Sequence, residues 1–460
     1  MKQILFAFVT FSIGCTSLTE RLSPLGVGAP KAPSAFSHAE SSDAPKRSKD
    51  WWKVFRDPEI DKLITRLHTA NPNLSAALAR VDQSYAILGQ SRAEFWPKLT
   101  GDGSAKTRRD AINEFLFPVD TTEYERYRLG LNVSWEIDLW GRVRGLAKRD
   151  RDNARAESEL FRDTQLSLEA TLVREVFAWR SANAEVATLE DAARVRTHDL
   201  ALQEARLELG SGVAVDVSKS RVQLNNARAA AEAARRSRGK LEHAIAILVG
   251  TTPTELGSLT NSSLSEPPTV TSGIPASLLV QRADLRAAHH ELRAAAISVG
   301  LRRVDFFPKI SLTGIGGVGS LKTSDLFKPD SIFFDIGPEF EVPLFSLGTK
   351  RGAVGEMEAA WQEAVAKYRS TLLVAVQEVD DALLETQSLR REHAIQQEAV
   401  SAAEETSEIA RLRHERGLAS YFEVVDAERD RLTAVRAEIA LRGERHAATV
   451  RLIQALGGRW

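Results

Sequence analysis

The sequence predicts a mainly α with β protein, in which one long helical unit carrying a pair of short strands is used twice. Three observations carry this. The first is recurrence. Residues 92–98 (RAEFWPK) return as 303–309 (RVDFFPK), and 136–140 (EIDLW) return as 341–345 (EVPLF). Arg144 and Gly145 return as Arg351 and Gly352, Arg206 and Gly210 as Arg413 and Gly417, and Gly250 as Gly457, all at one constant offset of 207 residues. A repeat this long is one architectural module used twice, not a short solenoid unit. The second observation is a stretch from Gly141 to Gly210 with no proline and Gly145 as its only interior glycine, matched in length by 348–417. The third is strict alternation. Tyr127, Leu129, Leu131, Val133, Trp135, Ile137 and Leu139 interleave with Arg128, Gly130, Asn132, Ser134, Glu136 and Asp138.

Taken in order, residues 1–14 read as a signal peptide: Lys2, then an apolar run over 4–13. The only cysteine of the chain, Cys15, follows directly, so lipidation (with palmitate) at Cys15 is expected, although Ser12 stands where such sites usually carry leucine. Residues 15–50, rich in Ser, Pro, Ala and Gly, read as an extended tether. The first repeat is 51–250, a Pro-rich linker covers 251–281, the second repeat is 282–457, and 458–460 form a short tail.

Within each repeat the order is helix, strand, loop, strand, very long helix, tight turn, helix. The first strands begin at Lys98 and Lys309 and are glycine-rich. The second strand of the second repeat alternates Phe334, Ile336, Phe340 and Val342 with Asp335, Gly337, Glu339 and Glu341. A sheet with one apolar and one polar face suits a soluble sandwich or a membrane barrel. Four strands of about 10 residues cannot close a barrel alone, but several chains could share one.

A helix of about 70 residues is about 100 Å long. That exceeds a bilayer core several times over, and this one is too charged to lie in lipid. Leu168, Leu172, Val176, Trp179, Val186 and Leu189 form its seam, and Leu372, Val376, Val379 and Leu383 form the seam of its counterpart. Such spacing is coiled-coil packing against the returning helices 213–248 and 421–456, where Val425, Leu432, Val435 and Ile439 match it.

Composition excludes several functions. The net charge is −1 and 43% of residues are hydrophobic, so nothing points to nucleic acid, and no long apolar run follows the leader. No nucleophile–base motif is present, so no enzyme is expected, and no cofactor. His289 and His290 read as surface histidines rather than metal ligands. The glycines 314, 316, 317 and 319 lie in a strand without a following Lys–Ser/Thr, and read as close strand packing rather than a phosphate loop. Trp96, Trp135, Trp140 and Phe307 stand at strand ends, where an interfacial belt and ordinary packing are both open.

The turns of the two hairpins are Gly210, Ser211, Gly212, Val213 and Gly417, Leu418, Ala419, Ser420. Acids recur past both: Asp216 lies six after Gly210, Glu423 six after Gly417, and Asp426 one helical turn further. On physics alone these could be solvated charges favoured near a helix N-terminus.

These segments, with Asp50–Trp51–Trp52, Asp57–Pro58, Gln281–Arg282–Ala283–Asp284, Glu378–Val379–Asp380–Asp381 and Tyr421–Phe422–Glu423–Val424–Val425–Asp426, resemble in order and spacing the outer-membrane efflux proteins of the TolC/OprM type. Within them the chain is most similar to the lipoprotein branch that works with resistance-nodulation-division (RND) pumps. The resemblance spans residue 50 to the end. It implies a homotrimer whose protomers contribute four β-strands each to a 12-stranded β-barrel, set on an α-helical tunnel through the periplasm. It implies a passive exit duct for drugs or small amphiphiles, lipid-anchored in the outer membrane, with a periplasmic adaptor on the tips and an inner-membrane RND-type pump as energy source. Loops 109–126 and 322–331 would face outside. Glu423 and Asp426 would form carboxylate rings at a tip gate, and Asp216 would join the links that hold it shut. Ala419 and His414 depart from the pattern, where relatives carry arginine and tyrosine, so the latch partner is open among Arg206, Arg221, Arg413 and Arg416. The alternatives are the outlet of a type I protein-secretion system and a periplasmic scaffold without a pore.

Overall fold

The computed structural model describes residues 18–24, 50–109, 123–260, 264–268, 281–342, 344–345 and 347–458. The expected leader with Cys15, residues 110–122 of the loop expected to face outside, and residues 269–280 of the expected linker lie outside them. The described chain runs α1 (Leu18–Leu22), α2 (Pro58–Ala70), α3 (Pro72–Ala93), β1 (Lys98–Arg109), β2 (Glu123–Glu136), α4 (Arg142–Glu208) and α5 (Ala214–Leu248). The second half runs α6 (Ala283–Val304), β3 (Lys309–Ser320), β4 (Ile332–Glu341), α7 (Leu347–Glu415) and α8 (Tyr421–Ala455). The class is mainly helical with four antiparallel strands, as the sequence predicts, and the long helices start and stop within one or two residues of the expected glycines.

The chain forms two compact units, and each draws on both repeats. One gathers described residues within 1–30, 80–158 and 287–369, and the other those within 31–79, 159–286 and 370–460.

The first unit holds the sheet, in order β1-β2-β3-β4, antiparallel throughout. Register pairs Leu131 with Gly101 on one side and Gly316 on the other, and Gly316 with Phe334. Residues directly opposite share a face. One face therefore carries Leu99, Leu129, Leu131, Val133, Leu312, Val318, Phe334, Ile336 and Phe340, and the other carries Thr100, Asp102, Asn132, Ser134, Thr313 and Asp335. Asn132 donates to Asp102 at 2.5 Å on the polar face, and Arg128 lies over the Phe333 ring at 3.9 Å. A Cβ on Gly317 would sit 2.1 Å from Leu129 O, so the glycine run serves close strand packing.

At the end of β2 the Asp138–Leu139–Trp140–Gly141–Arg142 segment starts α4. The Asp138 carboxylate accepts from the amides of Val143 and Arg144, both at 3.0 Å, and caps the helix. Gly141 has φ +81°, Trp140 donates to Pro308 O at 2.7 Å, and Trp140 and Phe307 pack at 5.0 Å. Trp96 is exposed, and Trp135 donates to Phe95 O at 3.0 Å.

Residues 18–22 depart from the extended tether expected of 15–50: they form α1 and dock in this unit. Thr19 is 0% exposed, and its hydroxyl donates to Gly141 O at 2.8 Å, while Arg303 donates to Leu22 O at 2.6 Å. The seat exists because two side chains are missing. A Cβ on Gly300 would lie 2.2 Å from Ser23 Oγ, and one on Gly145 2.7 Å from Thr19 Cγ2. The histidine pair also differs from expectation. His290 is half-buried, with Nδ1 3.1 Å from the buried carboxylate of Asp152.

The second unit has its core on Trp51, Trp52, Ile60, Ile64, Leu67, Phe177, Ile245 and Ile453, all nearly buried. Asp57–Pro58 starts α2 as N-cap and N1: Asp57 accepts from the Glu59 amide at 2.9 Å. The buried cation beside this cap is Arg180 of α4, 2.5 Å from Asp57 and 3.5 Å from Glu59.

Arg282, from the Gln281–Arg282–Ala283–Asp284 segment, donates to Ala455 O at 2.9 Å, Asp284 at 2.8 Å and Glu378 at 2.6 Å, tying the end of α8 to α6 and α7. Beside it, burial and the Asp284 carboxylate push Asp163 up to about 6. Of the expected seams, Leu172, Val176, Trp179, Val186 and Leu189 are buried on α4 and Leu372, Val379 and Leu383 on α7, while Leu168 and Val376 are half-buried.

The four repeated glycines share one conformation. Gly210, Gly250, Gly417 and Gly457 have φ between +70° and +72°. After each, the next amide bonds back five residues, as Ser211 N to Arg206 O at 3.0 Å and Leu418 N to Arg413 O at 2.8 Å. This is the Schellman ending, which favours glycine at its left-handed position.

Candidate functional site

The hairpin turns 210–213 and 417–420 both lie in the second unit. Once the Schellman glycine ends each long helix, the returning helix must begin within three residues, and the two copies solve this differently. Ser420 caps α8, its hydroxyl accepting from the Glu423 amide at 3.4 Å, so Ser420 and Glu423 stand at the two ends of a capping-box spacing. Val213 begins α5 without a side-chain cap.

The two turns sit together. Arg206 Nη1 is 3.2 Å from His414 Nε2, His414 Nδ1 is 3.0 Å from Ala419 O, and Lys219 lies 5.3 Å from the Phe422 ring. Apolar side chains stand out around them: Leu209 is 82% exposed and Leu418 68%, with Val213 and Phe422 also exposed. Ser211, Gly212 and Ala419 complete the turns.

Of the three predicted acids, Glu423 meets Arg413 at 3.5 Å and Asp426 meets Arg429 at 2.6 Å. Asp216 is half-buried and forms no ion pair with a described residue. Arg221 pairs with Glu204 at 3.2 Å instead, and Arg206 faces His414. Arg429 is not among the sequence candidates; the signal for it is the i,i+3 spacing from Asp426. Both acid pairs are about half exposed, and such pairs contribute at most about 1 kcal/mol each. The carboxylates can therefore exchange partners at little cost.

A few turns further along on α4, α7 and α8, Ser407 and Arg196 are buried and Glu428, Arg431 and Asp199 are half-buried. Ser407 donates to Glu428 at 2.5 Å, and Arg431 donates to the same carboxylate at 3.1 Å. Burial alone would raise Glu428, but these two partners hold it below the usual range. Burial pushes Asp199 up, against the opposing charge of Arg196 at 3.6 Å. Among the described residues no cluster of His, Cys, Asp and Glu could hold a metal ion, and no helix is long and apolar enough to cross a membrane.

The family model described as outer membrane efflux protein matches this chain twice, over residues 63–251 and 274–458. The solvent efflux pump outer membrane protein SrpC of Pseudomonas putida is 29% identical over 410 residues, covering 89% of this chain and 87% of SrpC. The cation efflux system protein CusC of Escherichia coli O6:H1 is 28% identical over 415 residues, covering 89% of this chain and 88% of CusC. Among solved structures, the Campylobacter jejuni CmeC outer membrane channel superposes with a TM-score of 0.89 at 25% identity, covering 95% of this chain and 94% of CmeC. A CusC structure superposes with a TM-score of 0.84 at 26% identity, covering 95% and 99%.

Proposed function

The chain belongs to the outer membrane efflux protein family, and from that membership we infer how its parts work. It is the outer-membrane channel of an efflux pump, a transport protein and not an enzyme. The observation that carries the mechanism is the sheet: four strands, one face apolar and exposed, and both edge strands unpaired on one side among the described residues.

A strand edge left open is a template for another strand. Three copies supply 12 strands, enough for a closed barrel with an aqueous interior, its apolar face toward lipid and its polar face toward the lumen. The open edges support a barrel shared among copies, and the number three comes from the family resemblance. Passive exit fits the family, whose members similar to this chain are the outer membrane proteins of efflux pumps. Energy then enters from an inner-membrane pump of the RND type, through a periplasmic adaptor seated on the apolar rims of the tips at Gly210–Val213 and Gly417–Ser420. Leu209 and Leu418, exposed beside those turns, give the adaptor an apolar contact. In the trimer Glu423 and Asp426 form two carboxylate rings at the tip, with Arg413 and Arg429 as their exchangeable partners. Lipidation at Cys15 adds an anchor in the outer membrane. Relatives named for solvent, toluene and antibiotic efflux support small amphiphiles as the cargo, whereas CusC is named for cation efflux.

The full chain, purified in detergent and added to a planar lipid bilayer, is expected to give discrete ion-conducting steps. Protein that leaves the membrane without detergent and never conducts would contradict the barrel.

A further inference from the structure

The end of the sheet remote from the helices carries charge of one sign on one face. β1 leaves α3 at Lys98 and β2 rejoins α4 after Glu136, so Arg109 and Glu123 mark that remote end. Register places Lys106 directly opposite Arg126, Arg128 opposite Ser104, and Arg108 opposite Tyr124. These four basic residues therefore fall on the polar face, the one that carries Asp102 and Asn132. Lys106, Arg108 and Arg126 are exposed. The acids Glu123 and Glu125 stand on the opposite face, where Glu125 accepts from the Tyr127 hydroxyl at 2.6 Å.

Like charges directly opposite one another destabilise a strand pair. Lys106 and Arg126 form no ion pair with a described residue. The nearest acid along this face of the two strands is Asp102, one row beyond Arg128, and it accepts from Asn132 at 2.5 Å. Arg128 is held by an aromatic ring rather than a carboxylate: its guanidinium lies 3.9 Å over Phe333, and its Nε has no hydrogen-bond partner. A guanidinium stacked in this way keeps its in-plane N–H groups for an oxyanion. Gly319, opposite Arg128 on β3, adds no side chain beside it.

We propose that the outer mouth of the channel is a binding site for multivalent phosphate anions, built by Lys106, Arg126 and Arg128 and flanked by Arg108. The site rests on the reading of the polar face as the wall of an aqueous lumen. Three copies bring three such clusters to one mouth, where cations on the wall of a narrow passage concentrate anions. The phosphate is a soluble one, because lipid meets the apolar face. An anion seated between the strands cancels the repulsion between Lys106 and Arg126. Its field is opposite in sign to that of the acids near the hairpin turns, so the two ends of the passage draw different ions.

The full chain in a planar bilayer tests this with inorganic tripolyphosphate. The long charged helices cannot cross the bilayer, so the mouth opens on the side opposite to protein addition. Tripolyphosphate on that side is expected to block the current, and at the same concentration on the other side to block it far less. Lys106→Gln with Arg126→Gln should raise the half-blocking concentration about tenfold or more, and added salt should weaken the block of wild type. Both substitutions relieve a repulsion, so the strand pair loses no ion pair by them. Lys309→Gln, on the same face at the other end of the sheet, should leave the block unchanged. Absence of block from the mouth side, or a block that the double variant leaves unchanged, would overturn the site. A wild type that never conducts would count against the channel. Equilibrium dialysis of tripolyphosphate against the protein in detergent would then decide the site: binding that the double variant loses supports it, and no binding overturns it.

Discussion

Arg180→Met is expected to destabilise the protein by about 3–5 kcal/mol, the usual loss when one partner of a buried ion pair is removed. Arg180 is 2% exposed and sits 2.5 Å from Asp57 at the start of α2. Methionine keeps the packing against Phe177 but leaves the Asp57 carboxylate without its guanidinium. Adding Asp57→Asn should recover part of the loss, because asparagine still caps the helix and carries no charge. The pH dependence follows from the direction of the Asp57 shift. Burial raises this carboxyl, but Arg180 and the amides of Ile60 and Glu59 outweigh burial and hold it below the ordinary range. A folded value below the unfolded one stabilises fully above about pH 4 and is lost as pH falls through the folded value. The gap between wild type and Arg180→Met, measured by thermal melting, should therefore be full at neutral pH and close in acid. A gap independent of pH would exclude the ion pair as its cause.

The second large effect is on conduction. Glu423→Ala combined with Asp426→Ala removes two carboxylates from each protomer and leaves Arg413 uncompensated, while Arg429 keeps Asp430 at 3.3 Å. In the proposed rings these carboxylates concentrate cations in a narrow lumen, so their loss should lower the preference for cations over anions by about tenfold. Conductance should rise if the shorter side chains widen the proposed constriction. Both are read from single-channel currents and reversal potentials in a salt gradient. If neither changes, the two acids do not line the constriction.

The duplication, the strands and the long helices are legible in the sequence because each has a strong period: the repeat offset, the alternation of the strands and the heptad-like spacing of the seams. The ends of the helices are legible because the Schellman glycines recur at Gly210, Gly250, Gly417 and Gly457. Docking of α1 is hidden, since the seat is made by absent side chains at Gly145 and Gly300, far from Thr19 in sequence. The partner of Asp426 stands one turn on at Arg429, outside the set of arginines that flank the turns themselves.

Drug susceptibility of a strain lacking this chain, tested across detergents, dyes and antibiotics, bears most directly on its role as an efflux exit duct. Broad hypersensitivity, restored by the intact gene and not by a copy whose β4 is deleted, is the expected result. Unchanged susceptibility to every class would contradict export of small amphiphiles through this channel.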